Sequence, residues 1–261
     1  MKDTVPKANS VLKRNYNNGL IHIENHNGCA YFFQYETKKN EPRLRLPDGS
    51  IELAFLLKEE PLLYLTGPVE CMKEVRFPED CTVFGIVFLP SRIPGPWMKE
   101  FKFSDSMNQS MLIDHTKFPE FKGIFETKNF NQQTEIARDV FSKYDYSINN
   151  LVQKIMARIY NNRGNIQLNE LYKELGYSRQ YINQLFKNEI GLSPKYFCKV
   201  LRFQYLIYCI ATRYPKDRLH ILAKETGFYD QSHMNKEFKE FTNHSPDYFV
   251  KNYYYLLQSK R

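Results

Sequence analysis

The chain has 261 residues, with 37 Lys+Arg against 29 Asp+Glu and an ordinary hydrophobic share of 42%. At roughly 150 residues per domain there is room for about two domains, each with its own core; 15% aromatics beside 11 Gly and 13 Pro exclude a disordered, collagen-like or disulfide-scaffold chain. No run approaches the ~18 apolar residues that cross a bilayer, and the opening MKDTVPKANS lacks a signal-peptide core, so a soluble cytoplasmic protein is expected.

Near the N-terminus, Ile21-His-Ile-Glu-Asn-His alternates so that His22, Glu24 and His26 would share one face of a strand. Three such groups fall short of a metal-binding set, because no His-x-His pair stands inside the β region and His115 is far along the chain. An exposed polar strand face is the expectation, with no metal and no cofactor. Short β-branched or aromatic runs follow at Tyr31 to Phe33, Ile51 to Leu57, Leu62 to Thr66, Cys71 to Phe77 and Thr82 to Leu89. Pro47-Asp48-Gly49, Gly67-Pro68 and Pro78-Glu79-Asp80 punctuate them as turns, which predicts an antiparallel sandwich or barrel. A Pro- and Gly-broken segment then leads to Trp97, an aromatic expected in the core rather than in a pocket. The five cysteines never form C-x-x-C and read as buried small hydrophobes.

From about Phe118 the pattern turns helical, and the stretch 131 to 144 places Ile136, Val140 and Phe141 on one side of a helix. The polar stretch 142 to 150 is the expected linker, dividing the chain into residues 1 to 145 and 146 to 261. The second part holds 18 Lys+Arg and 9 Asp+Glu, a net of +9, and leaves the first at −1. Such asymmetry fits one domain that meets a polyanion and one that does not.

Ile148, Leu151, Val152, Ile155 and Ile159 form one helical face, which Gly164 ends. Helices are then predicted at Leu168 to Leu175, Arg179 to Glu189, Pro194 to about Ala211, Leu219 to Thr226, Asp230 to Phe241 and Pro246 to Leu257. Ser193-Pro194 and Ser245-Pro246 each join an N-cap hydroxyl to a first-position proline, and Ser178 and Asp230 can cap the helices after them.

Two of these segments repeat one plan about 52 residues apart. Each has a short helix, a turn at Gly176 or Gly227, and an aromatic (Tyr177 or Phe228). A polar helix with a Phe-Lys pair (Phe186-Lys187, Phe238-Lys239) and a Ser-Pro start complete it. This describes a helix-turn-helix, whose second helix enters the major groove. The second helices offer Arg179, Gln180, Asn183 and Gln184 in one copy, and Gln231, Ser232, His233, Asn235 and Lys236 in the other. Asn and Gln suit adenine, and Arg and Lys suit guanine. Ile182, Leu185 and Phe186, and likewise Met234, Phe238 and Phe241, should face inward. Arg179, Lys187, Arg202, Lys236 and Lys239 are the candidates for phosphate, with a pairing role inside its own helix as the alternative for Arg202.

With these residues in place, residues 148 to 257 resemble the DNA-binding domain of the AraC/XylS transcription regulators. The matching order is Gly227-Phe228, Ser232, Phe238-Lys239 and Ser245-Pro246-Asp247-Tyr248. The resemblance implies two recognition helices in successive major grooves, with Pro194 to Ala211 as the linker helix between them. It also implies RNA polymerase as a partner and a cupin-like N-terminal domain that binds an effector or forms a homodimer; Leu46-Pro-Asp-Gly-Ser-Ile-Glu-Leu53 is similar to one subgroup of such domains. Departures from the pattern are Tyr172 where a small residue is usual, Gln184 and Lys236 at positions often Arg, Met234 for an aromatic, and Asn243 for glycine. The Asn243 swap is compatible with left-handed backbone. No catalytic set is recognised, so a non-enzyme is expected. Two other readings stay open: an alkylation-repair methyltransferase, which would need clustered cysteines that Cys29, Cys71 and Cys81 do not form, and a cupin-type enzyme fused to a DNA-binding domain.

Overall fold

Alternation along one strand explains the N-terminal part. Ile51, Leu53, Phe55 and Leu57 of β4 (Ile51–Leu57) point to one side and Glu52, Ala54 and Leu56 to the other, yet all seven are buried. A strand buried on both faces must lie inside a sheet covered twice. In the computed structural model, which describes residues 20–23, 29–38, 43–88, 108–144 and 149–257, β4 pairs antiparallel with β5 (Leu62–Thr66) and β7 (Thr82–Phe88). With β1 (Leu20–Ile23), β2 (Cys29–Glu36) and β8 (Ser110–Ile113) they form a six-stranded sheet in the order β1-β2-β7-β4-β5-β8.

One face is covered by α1 (Lys122–Phe125) and α2 (Phe130–Ser142), which bring Ile124, Ala137, Val140 and Phe141 against Phe32, Phe55, Phe84 and Phe88. The apolar side of the helix predicted at 131 to 144 is thus spent on the sheet. Across the other face lies a two-stranded sheet of β3 (Arg43–Arg45) and β6 (Lys73–Val75). The strand expected over Cys71 to Phe77 shrinks to three residues because its partner β3 has three. Strand β3, Arg-Leu-Arg, lacks the β-branched composition that announces a strand. The short edge strand β8, Ser-Met-Leu-Ile, was equally silent.

Beneath β3 sits a buried charge cluster. Arg43 meets Glu52 through two bonds of 2.7 and 2.6 Å, and Arg45 lies 3.7 Å from Glu52 while donating to Ser50 O at 3.0 Å. Burial pushes the Glu52 carboxyl up, but the two guanidinium groups outweigh it and hold the carboxyl below its ordinary range. Gly85 is needed beside this cluster, since a Cβ there would stand 1.9 Å from the Phe33 ring, over which Arg43 stacks at 4.7 Å.

The C-terminal part is helical throughout: α3 (Asn150–Asn161), α4 (Leu168–Leu175), α5 (Arg179–Ile190), α6 (Pro194–Arg213), α7 (Leu219–Glu225), α8 (Gln231–Thr242) and α9 (Pro246–Leu257). Each boundary lies within about two residues of its expectation. Helices α3 to α5 share one core with the first half of α6, and α7 to α9 share another with the second half. Gly164 turns the chain at φ +77, and a Cβ there would meet Cys198 O at 2.1 Å, so α3 packs directly on α6.

The β part touches the second helical core. Leu46 is buried within it, Gln204 of α6 donates to Pro47 O, and the Met72 N–H donates to Phe241 O of α8 at 2.7 Å. Cys81, Cys198 and Cys209 are buried, whereas Cys71 is half-buried beside this contact. No described helix is long and apolar enough to cross a membrane. The side chains of His22 and Cys29, and residues Glu24, His26, Trp97 and Ile148 entirely, lie outside the described set.

Candidate nucleic-acid interface

Each repeat begins with a short helix and a bend. In the first, α4 ends on Gly176 at φ +73, and Ser178 caps α5 by accepting from Tyr181 N at 3.2 Å. In the second, α7 ends near Gly227 at φ +86, and Asp230 caps α8 by accepting from His233 N at 2.7 Å. Asn243 takes left-handed backbone at φ 61 after α8, as Gly191 does at φ 79 after α5. The two bends differ in kind: a Cβ on Gly176 would meet nothing within 4 Å, while one on Gly227 would press on Asn165 at 2.7 Å.

Ile182 and Phe186 of α5, and Met234 and Phe238 of α8, are wholly buried, and Leu185 packs partly buried beside the first pair. The opposite faces are then forced outward. Arg179, Gln180, Gln184, Lys187, Gln231, Ser232, Lys236 and Lys239 are exposed. Arg179, Lys187, Lys236 and Lys239 form no ion pair among the described residues, in contrast to Arg158 with Glu174 or Arg213 with Asp217 and Glu225.

Three predicted readers are held by their own fold. Asn183 is half-buried, and its Oδ1 lies 3.4 Å from the Tyr172 hydroxyl. Tyr172 thereby orients the Asn183 amide, and burial pushes its phenol up to about 12. In His233, Nδ1 accepts from Tyr229 N at 3.3 Å and Nε2 lies 3.4 Å from Glu237, so both ring nitrogens are engaged inside the protein. Asn235 is half-buried with its Oδ1 turned inward.

Arg202 bonds Glu237 of α8 through both carboxylate oxygens at 3.1 Å and donates to Gly164 O at 3.2 Å. Its structural partner is thus on another helix, not within the linker helix. Beside it Lys199 meets Glu240 at 2.7 Å and Glu237 at 3.6 Å. Sequence reading missed Lys195, Lys199, Glu237 and Glu240, which line a cleft of about 630 Å³ between α5 and α8. It also missed the exposed aromatics Tyr181, stacked on Tyr177 at 5.4 Å, and Tyr229, 92% exposed at the entry to α8. Their signal was present, since each lies within three residues of a helix cap.

The family model of the helix-turn-helix domain matches residues 171–252, spanning both repeats. The Msm operon regulatory protein of Streptococcus mutans is 28% identical over 102 residues, 39% of this chain and 35% of that protein, so the match spans about a third of that relative. Both similarities fall on the helical part, the part that resembles the AraC/XylS regulators. Among solved structures, ToxT of Vibrio cholerae is similar at 15% identity over 87% of this chain and 97% of its own, with a TM-score of 0.45. The C-terminal domain of AraT, a response regulator from Geobacillus stearothermophilus, is similar at 18% identity over 40% of this chain and 86% of its own, with a TM-score of 0.37. The helices expected from the sequence to be the two recognition helices and the linker helix are α5, α8 and α6.

Proposed function

We propose that the protein is a sequence-specific transcription regulator in which α5 and α8 enter successive major grooves. Arg179, Gln180, Asn183 and Gln184 read one half-site; Gln231, Ser232, Asn235 and Lys236 read the other, with His233 held at its edge. Lys187 and Lys239, in the last turns, contact phosphate. The observation that carries this reading is the matched pair of capped helices, each burying its apolar side and exposing amides and cations that form no ion pair among the described residues. The β part serves as the regulatory domain, binding a small-molecule effector or pairing with a second copy, and RNA polymerase is the partner at the promoter. The protein acts by binding, without a catalytic step.

Genome-wide mapping of bound DNA tests this, with and without candidate effectors. An enriched bipartite motif, its halves about one helical turn apart, is the expected result. Absence of any enriched motif would overturn the reading.

A further inference from the structure

Base reading uses residues on the walls of the cleft between the two recognition helices and leaves its floor without a role. Its walls carry Arg179 and Asn183 on α5 and Lys236 on α8, and its floor is the linker helix α6 through Lys195 and Lys199. With α5 and α8 in successive major grooves, what lies between them is the minor groove and the phosphate strands bordering it. We propose that this cleft seats that sugar-phosphate backbone, with Lys195 and Lys199 donating to phosphate oxygens. The inference rests on the function proposed above.

The chemistry of the floor supports it. Lys195 and Lys199 are four residues apart and share one face of α6. Lys195 is exposed in the first turn of that 20-residue helix and forms no ion pair among the described residues. There the helix dipole adds to its positive field. Lys199 is neutralised in the free protein, but by a partner it can leave. Glu240 is about half exposed, and such a pair contributes little in water. Its other neighbour, Glu237, is bonded through both oxygens to Arg202 and stays compensated when Lys199 departs. Glu240 can then turn to solvent while Lys199 turns to phosphate.

The test is a salt series on the full chain, comparing wild type with Lys195→Gln, Lys199→Gln and the double variant on a selected duplex and on random duplex. Log affinity falls with log salt by about 0.9 per phosphate neutralised, so each substitution should lower that slope by about 0.9 and the pair by about 1.8. Loss should be similar on both duplexes, since phosphate contacts carry no sequence information. A duplex with uncharged methylphosphonate linkages between the half-sites should weaken wild type and make it indifferent to Lys195→Gln. Lys195 is exposed, so that variant reports without risk to folding. A double variant that keeps the wild-type slope while wild type binds selectively would overturn this inference alone. Wild type that binds no duplex would overturn the function and the inference together.

Discussion

At the scale of single residues, the side chains that matter divide by whether the fold uses their hydrogen-bonding capacity. Among the described residues the Gln231 side chain has no hydrogen-bond partner, and Asn183 is engaged through its Oδ1 by Tyr172, which leaves its amide N–H groups for a ligand. Replacing either by Ala should cost about 1–3 kcal/mol on the cognate site and little on random DNA. Binding titrations on both duplexes check this, and equal losses would exclude base readout. Glu52 is the opposite case, a charge wholly used inside the protein. Glu52→Gln leaves Arg43 and Arg45 buried without their counter-charge and should destabilise by about 3–5 kcal/mol, read from denaturant unfolding. Because the folded-state carboxyl sits below its ordinary range, its contribution is present above the unfolded pKa, near 4.3, and is lost as pH falls through the lower folded value. The wild-type advantage over Glu52→Gln should therefore shrink only in acid.

At the scale of elements, helix ends decide how well the polar faces of α5 and α8 are presented. Asp230→Ala removes the acceptor for His233 N and should cost about 0.5–2 kcal/mol, with the loss of order confined to the first turn of α8. At the other end, Asn243→Gly should be neutral or slightly stabilising, while Asn243→Val should cost roughly 1–2 kcal/mol because a β-branched residue resists φ 61. Thermal and chemical unfolding of the three variants ranks them. Element positions were legible because caps, prolines and 3.6-residue periodicity are local. Strand β3 escaped, since its three residues become a strand only by lying across Glu52 and Phe33.

At the scale of the whole molecule, the described contacts of the β part with the helices fall on the core of the second repeat. The Pro47-Asp48-Gly49 turn, which the sequence shows as a generic reversal, is stiffened by Ser50 N and Oγ donating to Asp48 at 2.8 and 2.7 Å, with Gly49 at φ 74. Leu46 enters the helical core just before it, and the Met72 N–H occupies a last-turn carbonyl of α8. A ligand that moved this edge of the sheet would therefore act on α8 first. Leu46→Asp places an unpaired charge in that core and should release the contact. Hydrogen exchange reads it directly: the Met72 amide, protected by Phe241 O, should exchange at near the solvent rate. Retained protection would show that Leu46 does not hold the two parts together.

By itself, the amino-acid sequence determined the order of helices and most strands, the duplicated plan, the caps and the side of each repeat's second helix that faces out. All of these depend on residues within a turn or two of one another, where periodicity and hydrogen-bond chemistry act directly. It also located the excess positive charge in residues 146 to 261. Only the tertiary structure decided which of those charges are neutralised, because an ion pair depends on the approach of distant segments. Arg202 finds Glu237 at a separation of 35 residues, Lys199 finds Glu240 at 41, and Gln204 finds Pro47 at 157. Those approaches follow from how the cores close, and no local pattern encodes them.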